Sequence, residues 1–274
     1  MRRPPLLLIL PLLASCALLS SLGGTGDAEL RVASYNIRHG RGMDQQVALE
    51  RTAATIRSLD AEIVGLQEVD ERVQRSGRAD QAALLGGLLG MEHRFGAFFD
   101  YQGGRYGMAI LSKHPIVGIE EIALPPGEEP RIALAARIAL PTGDTITVVN
   151  VHFDWVSSDR ARVAQADQLA DRLAGIEGPW LVMGDFNDEP RSRTLRAFRS
   201  VIEQSTKEAG AELTFPSDAP EREIDHIFAA RDGLLRPVES WAVIDSVASD
   251  HRPVVATFRY AISVPQVSTG RSRR

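Results

Sequence analysis

Apolar residues recur along the chain in two patterns that alternate with each other. Short runs rich in Val and Ile, bounded by turn residues, predict strands, and the stretches between some of them carry apolar residues at helical spacing. The predicted strands are Leu30–Ile37, Glu62–Val69, Gly107–Ser112, Ile132–Leu140, Thr145–Val151, Trp180–Gly184, Ile224–Ala229 and Pro253–Phe258, and the predicted helices are Val47–Leu59, Gln81–Leu89 and Arg160–Leu173.

The region from Leu30 to Tyr260 contains no low-complexity break and no internal repeat. One domain is therefore expected, at residues 29–261. Sheets with covering helices indicate an α/β or α+β class. The tail, residues 262–274, lacks apolar periodicity and is predicted to be disordered.

The first residues have the order expected of a secretion signal. Arg2 and Arg3 precede an apolar run from Leu6 to Leu13, and small residues lead to Cys16. The tetrapeptide that ends at Cys16 resembles the lipobox of bacterial lipoproteins, in which the cysteine is acylated. We therefore expect Cys16 to carry a lipid anchor.

This interpretation makes residues 1–15 a signal peptide of the lipoprotein type and residues 16–28 a flexible tether. It places the protein in the cell envelope or periplasm, exported and tethered to the membrane. One alternative is an ordinary signal peptide cut near Asp27, and another is an uncleaved anchor over Leu6–Leu22. Pro11 interrupts that run, and a membrane span usually takes roughly 20 apolar residues.

The charge of the chain bears on its partners. It has 31 basic and 36 acidic residues, a net charge of −5, and its only lysines are Lys113 and Lys207. A protein that follows duplex DNA normally neutralises several phosphates with a basic face. The composition therefore does not favour nucleic acid as a partner, and a nuclease interpretation depends on the site alone.

Polar residues suited to catalysis or metal binding lie at the ends of several predicted strands. Single cases are common, because strand ends meet water and often carry turn residues. Together they are more informative, since strand ends at one edge of a sheet converge on a crevice. The residues concerned are Asn36, Glu68, Asn150, His152, Asp185, Asn187, Asp250 and His251.

The residue types also select a metal. The expected domain has no cysteine, and Glu68, Asn36 and Asp250 offer oxygen donors, which favours Mg²⁺ or Mn²⁺. His152 and His251 are far apart in the chain and lack the spacing of a zinc site. A hard cation beside imidazoles and a carboxylate base fits phosphoryl chemistry.

Seven short motifs, taken in order, resemble those of the endonuclease/exonuclease/phosphatase superfamily of DNase-I-like hydrolases. They span nearly the whole expected domain. The resemblance implies an α+β fold, a four-layer α/β/β/α sandwich of two packed mixed β-sheets flanked by helices. The motifs are Tyr35–Gly40, Leu66–Asp70, Tyr106–Ser112, Asn150–His152, Gly184–Asn187, Ile224–Phe228 and Ser249–Val254.

Carried over position by position, the resemblance implies a metal site and a base. Glu68 would be the main Mg²⁺ ligand, and Asn36 and Asp250 would help to hold the metal or its waters. Asn36 would also contact the substrate phosphate. Asp185 would orient and deprotonate the attacking water, and Asn187 would hydrogen-bond that base or the phosphoryl oxygens.

The resemblance also implies roles for the histidines and an arginine. His251, paired with Asp225, would stabilise charge on the five-coordinate phosphorus, and His152 would assist the leaving group. A cationic histidine beside a carboxylate suits such work. Arg131 is a candidate phosphate contact, because a guanidinium binds phosphate in a bidentate manner. We interpret His226 as a strand-edge residue, and His39, His93 and His114 as structural or surface residues.

Two positions depart from the superfamily pattern. Met108 stands where relatives often have Asn or Glu that supports the second histidine, and methionine is only a weak acceptor. The support of His152 is therefore unassigned. The residues after Asn36 lack the acidic residue of the abasic-site nuclease branch, which favours a role outside DNA repair.

The superfamily cleaves several kinds of phosphate ester on one scaffold, so the fold does not name the substrate. A protein tethered in the envelope meets phospholipids and their head groups. We therefore expect a monomeric, Mg²⁺-dependent phosphodiesterase that acts on a small or lipid-derived phosphodiester. The alternatives are an exported nuclease acting on DNA or RNA, and a non-catalytic binding module on the same scaffold. The candidate pocket aromatics are Phe98, Phe99, Tyr101, Tyr106 and Trp155.

Overall fold

The computed structural model describes residues 27–204 and 207–261. The predicted signal peptide, the predicted lipidation site Cys16 and the C-terminal tail lie outside the described residues. Asp27 and Ala28, which the sequence assigns to the tether, instead begin the first strand and pair with the last one. Within the described part of the chain, no helix has the length and apolarity that a membrane span requires.

The described residues form two mixed sheets of six strands each. The strands are β1 (Asp27–Asn36), β2 (Ile63–Glu71), β3 (Glu92–Tyr101), β4 (Gly104–Ser112), β5 (Ile116–Ala123), β6 (Ile132–Ala139), β7 (Thr145–His152), β8 (Trp180–Asp185), β9 (Ile202–Gln204), β10 (Asp225–Ala230), β11 (Leu235–Ala242) and β12 (Val254–Ala261). The strand order is β11-β12-β1-β2-β4-β3 in the first sheet and β5-β6-β7-β8-β10-β9 in the second.

In the described residues, four α-helices cover the outer faces of the sheets: α1 (Leu49–Ser58), α2 (Gln81–Leu89), α3 (Arg160–Ala174) and α4 (Arg193–Ala197). The sequence encodes the bounds of α2 clearly. The Asp80 side chain caps its first turn by accepting from the Ala83 N–H at 3.1 Å, and Gly90, with a φ of +67°, ends it.

Alternation along the strands sorts apolar side chains into three layers. On β1, Val32 packs between the sheets and Tyr35 packs against the side covered by α1 and α2. On β7, Val148 packs between the sheets and Val149 packs in the layer with α3 and α4. The predicted four-layer α+β sandwich is therefore confirmed.

Every predicted strand and helix is present, with bounds that differ by no more than three residues. The sequence missed the strands β3, β5, β9 and β11 and the short helix α4. In the strand orders given above, these four strands are the outer strands of the two sheets.

Toward one end of the molecule the layer between the sheets becomes polar. On β7, the inward residue Val148 is followed on the same face by Asn150 and His152. Asn150 Nδ2 donates to two main-chain carbonyls of the first sheet, each at 2.9 Å, and its Oδ1 accepts from Gln67 Nε2 at 2.6 Å. Because these donors and acceptors are buried and paired across the sheets, this network holds the two sheets in register beneath the site, although Gln67 Oε1 has no partner among the described residues.

Candidate active site

The strand ends bring the predicted site residues together at the edge of both sheets. In the second sheet, Asp185 lies opposite His152 on one neighbouring strand and Asp225 on the other. Asn36, at the end of β1 in the first sheet, donates from Nδ2 to Asp185 Oδ2 at 3.1 Å and to Glu68 Oε1 at 3.2 Å. The amide of Asn36 thus links carboxylates that come from different sheets.

Glu68 reaches the site because β2 contains a β-bulge. Gln67 pairs with Met108 and Val69 pairs with Gly107, so Glu68 is the extra residue and has no partner on β4. Its φ of +56° is uncommon for a residue with a side chain. Regular alternation would turn Glu68 toward the helices, and the bulge turns its carboxylate into the space between the sheets.

Asp185 occupies the centre of the site and is almost fully buried. Its Oδ1 accepts from the Asn187 N–H at 2.8 Å, and its Oδ2 faces Asn36 and the Nε2 atoms of both site histidines. Burial and the nearby charge of Asp225 raise the pKa of the Asp185 carboxyl to about 7. A carboxylate with this pKa can accept a proton near neutral pH.

Local backbone geometry fixes Asp185. Gly184, the residue before it, lies so close to β7 that a Cβ there would collide with the Val151 carbonyl oxygen. Asn187, two residues further, has a φ of +51° and donates from Nδ2 to the Phe153 carbonyl at 3.0 Å. This contact holds the side chain of Asn187 at the site, where its Oδ1 is able to accept.

His251 and Asp225 form a buried ion pair. The Nδ1 atom of His251 lies 2.9 Å from Asp225 Oδ2, and its Nε2 lies 3.7 Å from Asp185 Oδ2. Burial alone would lower the pKa of His251, but the carboxylates of Asp225 and Asp185 outweigh it and raise this pKa to about 10. His251 is therefore a cation at neutral pH, as its predicted role requires.

His152 has the opposite electrostatic environment. Burial, together with the positive charge of Arg131, holds the pKa of His152 well below its ordinary range. This differs from the expectation of a cationic histidine at that position. Arg131 Nη1 lies 3.4 Å from His152 Nδ1, and because a guanidinium only donates, Nδ1 accepts and the ring proton lies on Nε2. Nε2 faces Asp185 Oδ2 at 3.6 Å.

Arg131 is part of the cleft wall but has protein partners. Its Nη2 pairs with Glu129 at 2.9 Å, and its guanidinium lies 4.8 Å from the centre of the Phe98 ring. Its contact with a substrate phosphate remains a prediction. Met108 lies in the apolar layer between the sheets, so Arg131, and not residue 108, supports His152.

A cleft of about 410 Å³ opens over these residues. Tyr106 and Trp155 line it as the sequence predicted, whereas Phe98 packs in the apolar layer and Phe99 and Tyr101 are not part of its lining. The sequence did not single out three further lining residues, which lie outside the family motifs: Glu129, Phe215 and Arg222.

His226, which the sequence analysis interprets as a strand-edge residue and not as a ligand, has a structural position near the start of β10. It is buried, stacks on Phe228 with 5.4 Å between ring centres, and lies with Nε2 3.0 Å from the Asp188 carbonyl oxygen. Burial and the charge of Lys207 hold the pKa of His226 well below its ordinary range. His226 therefore supports the loop that follows Asn187.

The model of the Endonuclease/Exonuclease/phosphatase family matches residues 33–251, which include every residue of the site described above. The chain belongs to this family. Members of the endonuclease/exonuclease/phosphatase family are phosphoester hydrolases, which supports a hydrolase that acts on a phosphoester.

Individual relatives are distant. A UPF0294 protein of Vibrio campbellii is 28% identical over 158 residues, which cover 55% of this chain and 53% of that protein. The match thus spans about half the length of this curated relative. An endonuclease/exonuclease/phosphatase from Bacteroides vulgatus has a similar structure, with a TM-score of 0.70, 23% identity and coverage of 84% of this chain and 98% of that one.

A mannosyl-6-phosphatase of Bacteroides thetaiotaomicron also has a similar structure, with a TM-score of 0.66 and 22% identity over 83% of this chain and 98% of that one. At this level of identity, both structures show a shared fold.

The family generally depends on a divalent metal, and the oxygen donors of this chain fit one. Burial and the charge of Asp250 raise the pKa of Glu68, so two carboxylates oppose each other with little compensation. Glu68 Oε2 accepts no hydrogen bond from a described residue, and Asp250 Oδ2 is balanced only by Arg38 Nε at 3.2 Å. A hard divalent cation would offset this repulsion.

The position of Asn36 differs from that of an oxygen ligand. Its Nδ2 faces the two carboxylates, and its Oδ1 accepts from the Arg38 N–H at 3.1 Å. In this orientation Asn36 is a donor, and its predicted metal role would require rotation of the amide.

A second set of possible ligand atoms, from Asp185, Asp225 and His251, lies within 4.8 Å of one another. In this set the cationic imidazole of His251 lies between the carboxylates of Asp185 and Asp225. Since a cationic imidazole has no lone pair for a metal, we assign them to proton chemistry and Glu68 and Asp250 to the metal.

Proposed function

We propose that this protein is an exported, Mg²⁺-dependent phosphodiesterase that hydrolyses a small or lipid-derived phosphodiester. The observation that carries the proposal is the position of Asp185 Oδ2. It lies between a cationic histidine and a neutral one, at 3.7 and 3.6 Å, in a cleft that Glu68 and Asp250 also line. A base, a cation and an N–H donor that meet in one cleft suit hydrolysis of a phosphoester by an activated water.

In this proposal Asp185 orients the attacking water and accepts its proton on Oδ2. The pKa of about 7 that burial and Asp225 give Asp185 matches that task near neutral pH. Asn36 and Asn187 fix the direction of the carboxylate through its two oxygens.

The two histidines act on the phosphate oxygens. His251 holds positive charge near the developing negative charge, with Asp225 fixing its ring. His152, which is neutral, donates a hydrogen bond from its Nε2–H to the leaving oxygen, with Arg131 fixing its tautomer, and the leaving oxygen takes its proton from water. Asn36, Asn187 and Arg131 are the proposed phosphate contacts.

Glu68 and Asp250 would hold Mg²⁺, or Mn²⁺ in its place, and the ion when bound supplies positive charge to the phosphate oxygens. Asn36 would join them through its oxygen or through a water.

The cleft and the composition support a small or lipid-derived substrate. The cleft measures about 410 Å³, within the range of small-molecule sites, and Tyr106, Trp155 and Phe215 give it apolar walls. The net charge of −5 does not favour a long polyanion. The similar fold of a mannosyl-6-phosphatase is consistent with a small phosphate ester. Export, the lipid anchor at Cys16 and the monomeric state rest on the sequence alone.

The test is a panel of phosphoesters assayed on the purified protein. It contains bis(p-nitrophenyl) phosphate, glycerophosphodiesters, phospholipid vesicles, plasmid DNA and RNA, each with Mg²⁺, with Mn²⁺ and with EDTA. We expect turnover of a small or lipid-derived diester that EDTA abolishes and Mg²⁺ restores. Asp185→Asn is the inactive control.

Other results would lead to different functions. Ready digestion of DNA or RNA that weakens steeply with salt, with no action on small diesters, would identify a nuclease. Binding of a phosphoester without turnover, unchanged in Asp185→Asn, would identify a binding module. Glu68→Gln should raise the Mg²⁺ concentration needed for half-maximal activity, and no change there would remove Glu68 from the metal site.

A further inference from the structure

A second cavity lies beside the catalytic cleft. Its volume is about 420 Å³, and it is lined by His39, Arg41, Gln45, Val47, Arg75 and Tyr101. The Arg75 guanidinium lies 4.9 Å from the ring centre of Tyr101 and 5.0 Å from that of Tyr106. Because Tyr106 lines the catalytic cleft, the two cavities are neighbours across Arg75 and Tyr106.

The wall of this second cavity carries unbalanced positive charge. Arg75 pairs with Asp70 at 2.8 Å, and Arg38 at the boundary with the cleft pairs with Asp250 at 3.2 Å. No carboxylate of a described residue lies within ion-pair distance of Arg41. In a chain with a net charge of −5, this local excess of arginine is a distinct feature.

His39 contributes a buried nitrogen without a partner. Its side chain lies in the wall of the second cavity with 8% of the residue exposed, and its Nδ1 is closed off from solvent without a hydrogen bond from a described residue, so Nε2 is the ring nitrogen that a ligand in the cavity would meet. Burial and the charge of Arg75 lower the pKa of His39 to about 4, so the ring is neutral at pH 7. Buried polar groups normally have a partner, and the Nδ1 atom of His39 has none among the described residues.

The backbone at His39 is held in an unusual conformation. Arg38, His39 and Gly40 have φ values of +46°, +47° and +76°, a region that residues with a side chain rarely adopt. The buried side chain of Gln81 fixes this turn by donating to the His39 carbonyl at 2.8 Å. The turn directs the two arginines at its ends to separate places, Arg38 to the cleft and Arg41 to the second cavity.

We propose that the second cavity binds a phosphate group of the substrate other than the one that is hydrolysed. This inference rests on the proposed function and narrows it to diesters that carry a further phosphate. Arg41 would bind that phosphate through its free guanidinium, and His39 would donate to it from its ring. Arg75, fixed by Asp70, adds charge from the shared wall.

The first experiment measures binding without turnover. Inorganic phosphate is titrated into the protein, and the imidazole signals of the chain's six histidines are followed by ¹H–¹⁵N NMR. We expect the His39 signals to shift and saturate, and Arg41→Gln to weaken that binding by about tenfold. Arg259→Gln, an exposed arginine at the far end of β12 that pairs with Glu29, is the matched control and should leave it unchanged.

The His251 signals report phosphate in the catalytic cleft separately. His39 signals that stay fixed while those of His251 move would overturn the proposal. Equal binding at His39 in Arg41→Gln would do the same.

The second experiment measures specificity with glycerophosphoinositol and glycerophosphoinositol 4-phosphate, two diesters that differ by one phosphate. We expect a KM about tenfold lower for the phosphorylated diester. Arg41→Gln should abolish this preference and leave kcat/KM for the other diester unchanged. His39→Asn, which tolerates the left-handed backbone, should reduce the preference as well.

A preference that survives both substitutions would overturn the proposal. If phosphate shifts the NMR signals of His39 but the protein hydrolyses no phosphoester, the second site is supported and the proposed function is refuted. Cleavage of DNA that depends on Arg41 would show that the occupant is the next phosphate of a nucleic acid strand, contrary to the substrate proposed here.

Discussion

His251 and His152 have similar positions but different charge states, since His251 is a cation and His152 is neutral. Their Nε2 atoms lie 3.7 and 3.6 Å from the same oxygen, Asp185 Oδ2, and both rings are buried. The pKa of His251 is raised to about 10 because the charge of Asp225 outweighs burial, whereas burial and Arg131 both lower the pKa of His152. Burial is the largest cause at both rings and lowers both pKa values, so the second partner, a carboxylate at His251 and a guanidinium at His152, makes the difference between them.

The largest effect is expected from Asp185→Asn, which removes the carboxylate between the two rings. Loss of a general base typically costs about 10²–10⁴-fold in rate, and we expect kcat to fall toward the upper end because no other carboxylate occupies this position. Steady-state assays on the best diester of the panel measure the loss. A fall below tenfold would assign the base to another residue.

The same substitution should stabilise the metal-free protein. A carboxyl whose pKa is raised from 3.8 to about 7 in the fold contributes stability below pH 4, and that contribution is lost as the pH rises through 7. Asp185→Asn does not lose this stability as the pH rises. Its free energy of unfolding at pH 7.5 should therefore exceed that of the wild type by on the order of 4 kcal/mol. Urea unfolding in EDTA at pH 4.5 and 7.5 measures it, and an equal difference at both pH values would contradict the assignment.

Asp225→Asn should make His251 resemble His152. Without the carboxylate the pKa of His251 falls, the imidazole loses its charge near neutral pH, and turnover should decrease by about 10²–10³-fold. Because Asp225 also raises the pKa of Asp185, the pH optimum should move to lower pH. A pH–rate profile with the wild-type shape and a reduced height would show that Asp225 only holds the ring in place.

The reverse change is expected from Arg131→Met, which removes the cation beside His152 and keeps an apolar side chain over Phe98. The pKa of His152 should rise, as an NMR titration would show. Turnover should fall by about tenfold, since one charged hydrogen bond is lost. An unchanged His152 titration would mean that burial alone sets its charge.

The smallest effect is expected from Met108→Leu. Met108 is buried between the sheets, and a volume-conserving substitution there usually costs less than about 1.5 kcal/mol. Activity should stay within about twofold of the wild type, because Arg131 and not residue 108 supports His152. A large fall in kcat with a normally folded protein would restore a catalytic role to this position.

The elements that the sequence missed show why hydrophobic patterning has limits. The strands β3, β5, β9 and β11 are the outer strands of their sheets, with one edge unpaired and many side chains exposed. Gly118 and two glutamates dilute the pattern of β5, and Pro237 interrupts that of β11 at a bulge. Central strands are buried on both faces, so their apolar runs were predicted well.

The composition of the site followed from the sequence, but its charge states did not. Family motifs supplied Asp185, Asp225 and both histidines, and the sheet register brings them together. The neutral state of His152 follows first from burial and second from Arg131, which lies just before β6 and has its own partner Glu129. Such pairings between distant segments have no local pattern that the sequence could show.

The β-bulge at Glu68 makes the proposed active site of this chain easy to inactivate without unfolding the protein. The proposed metal ligand depends on one surplus backbone unit, and a single-codon deletion in β2 that restored regular pairing with β4 would turn the carboxylate toward the helices. The sheets, the three apolar layers and the outline of the cleft would survive. A descendant of this chain could thus keep its overall shape for binding after losing catalysis, and the length of this strand would distinguish such a descendant from an active enzyme.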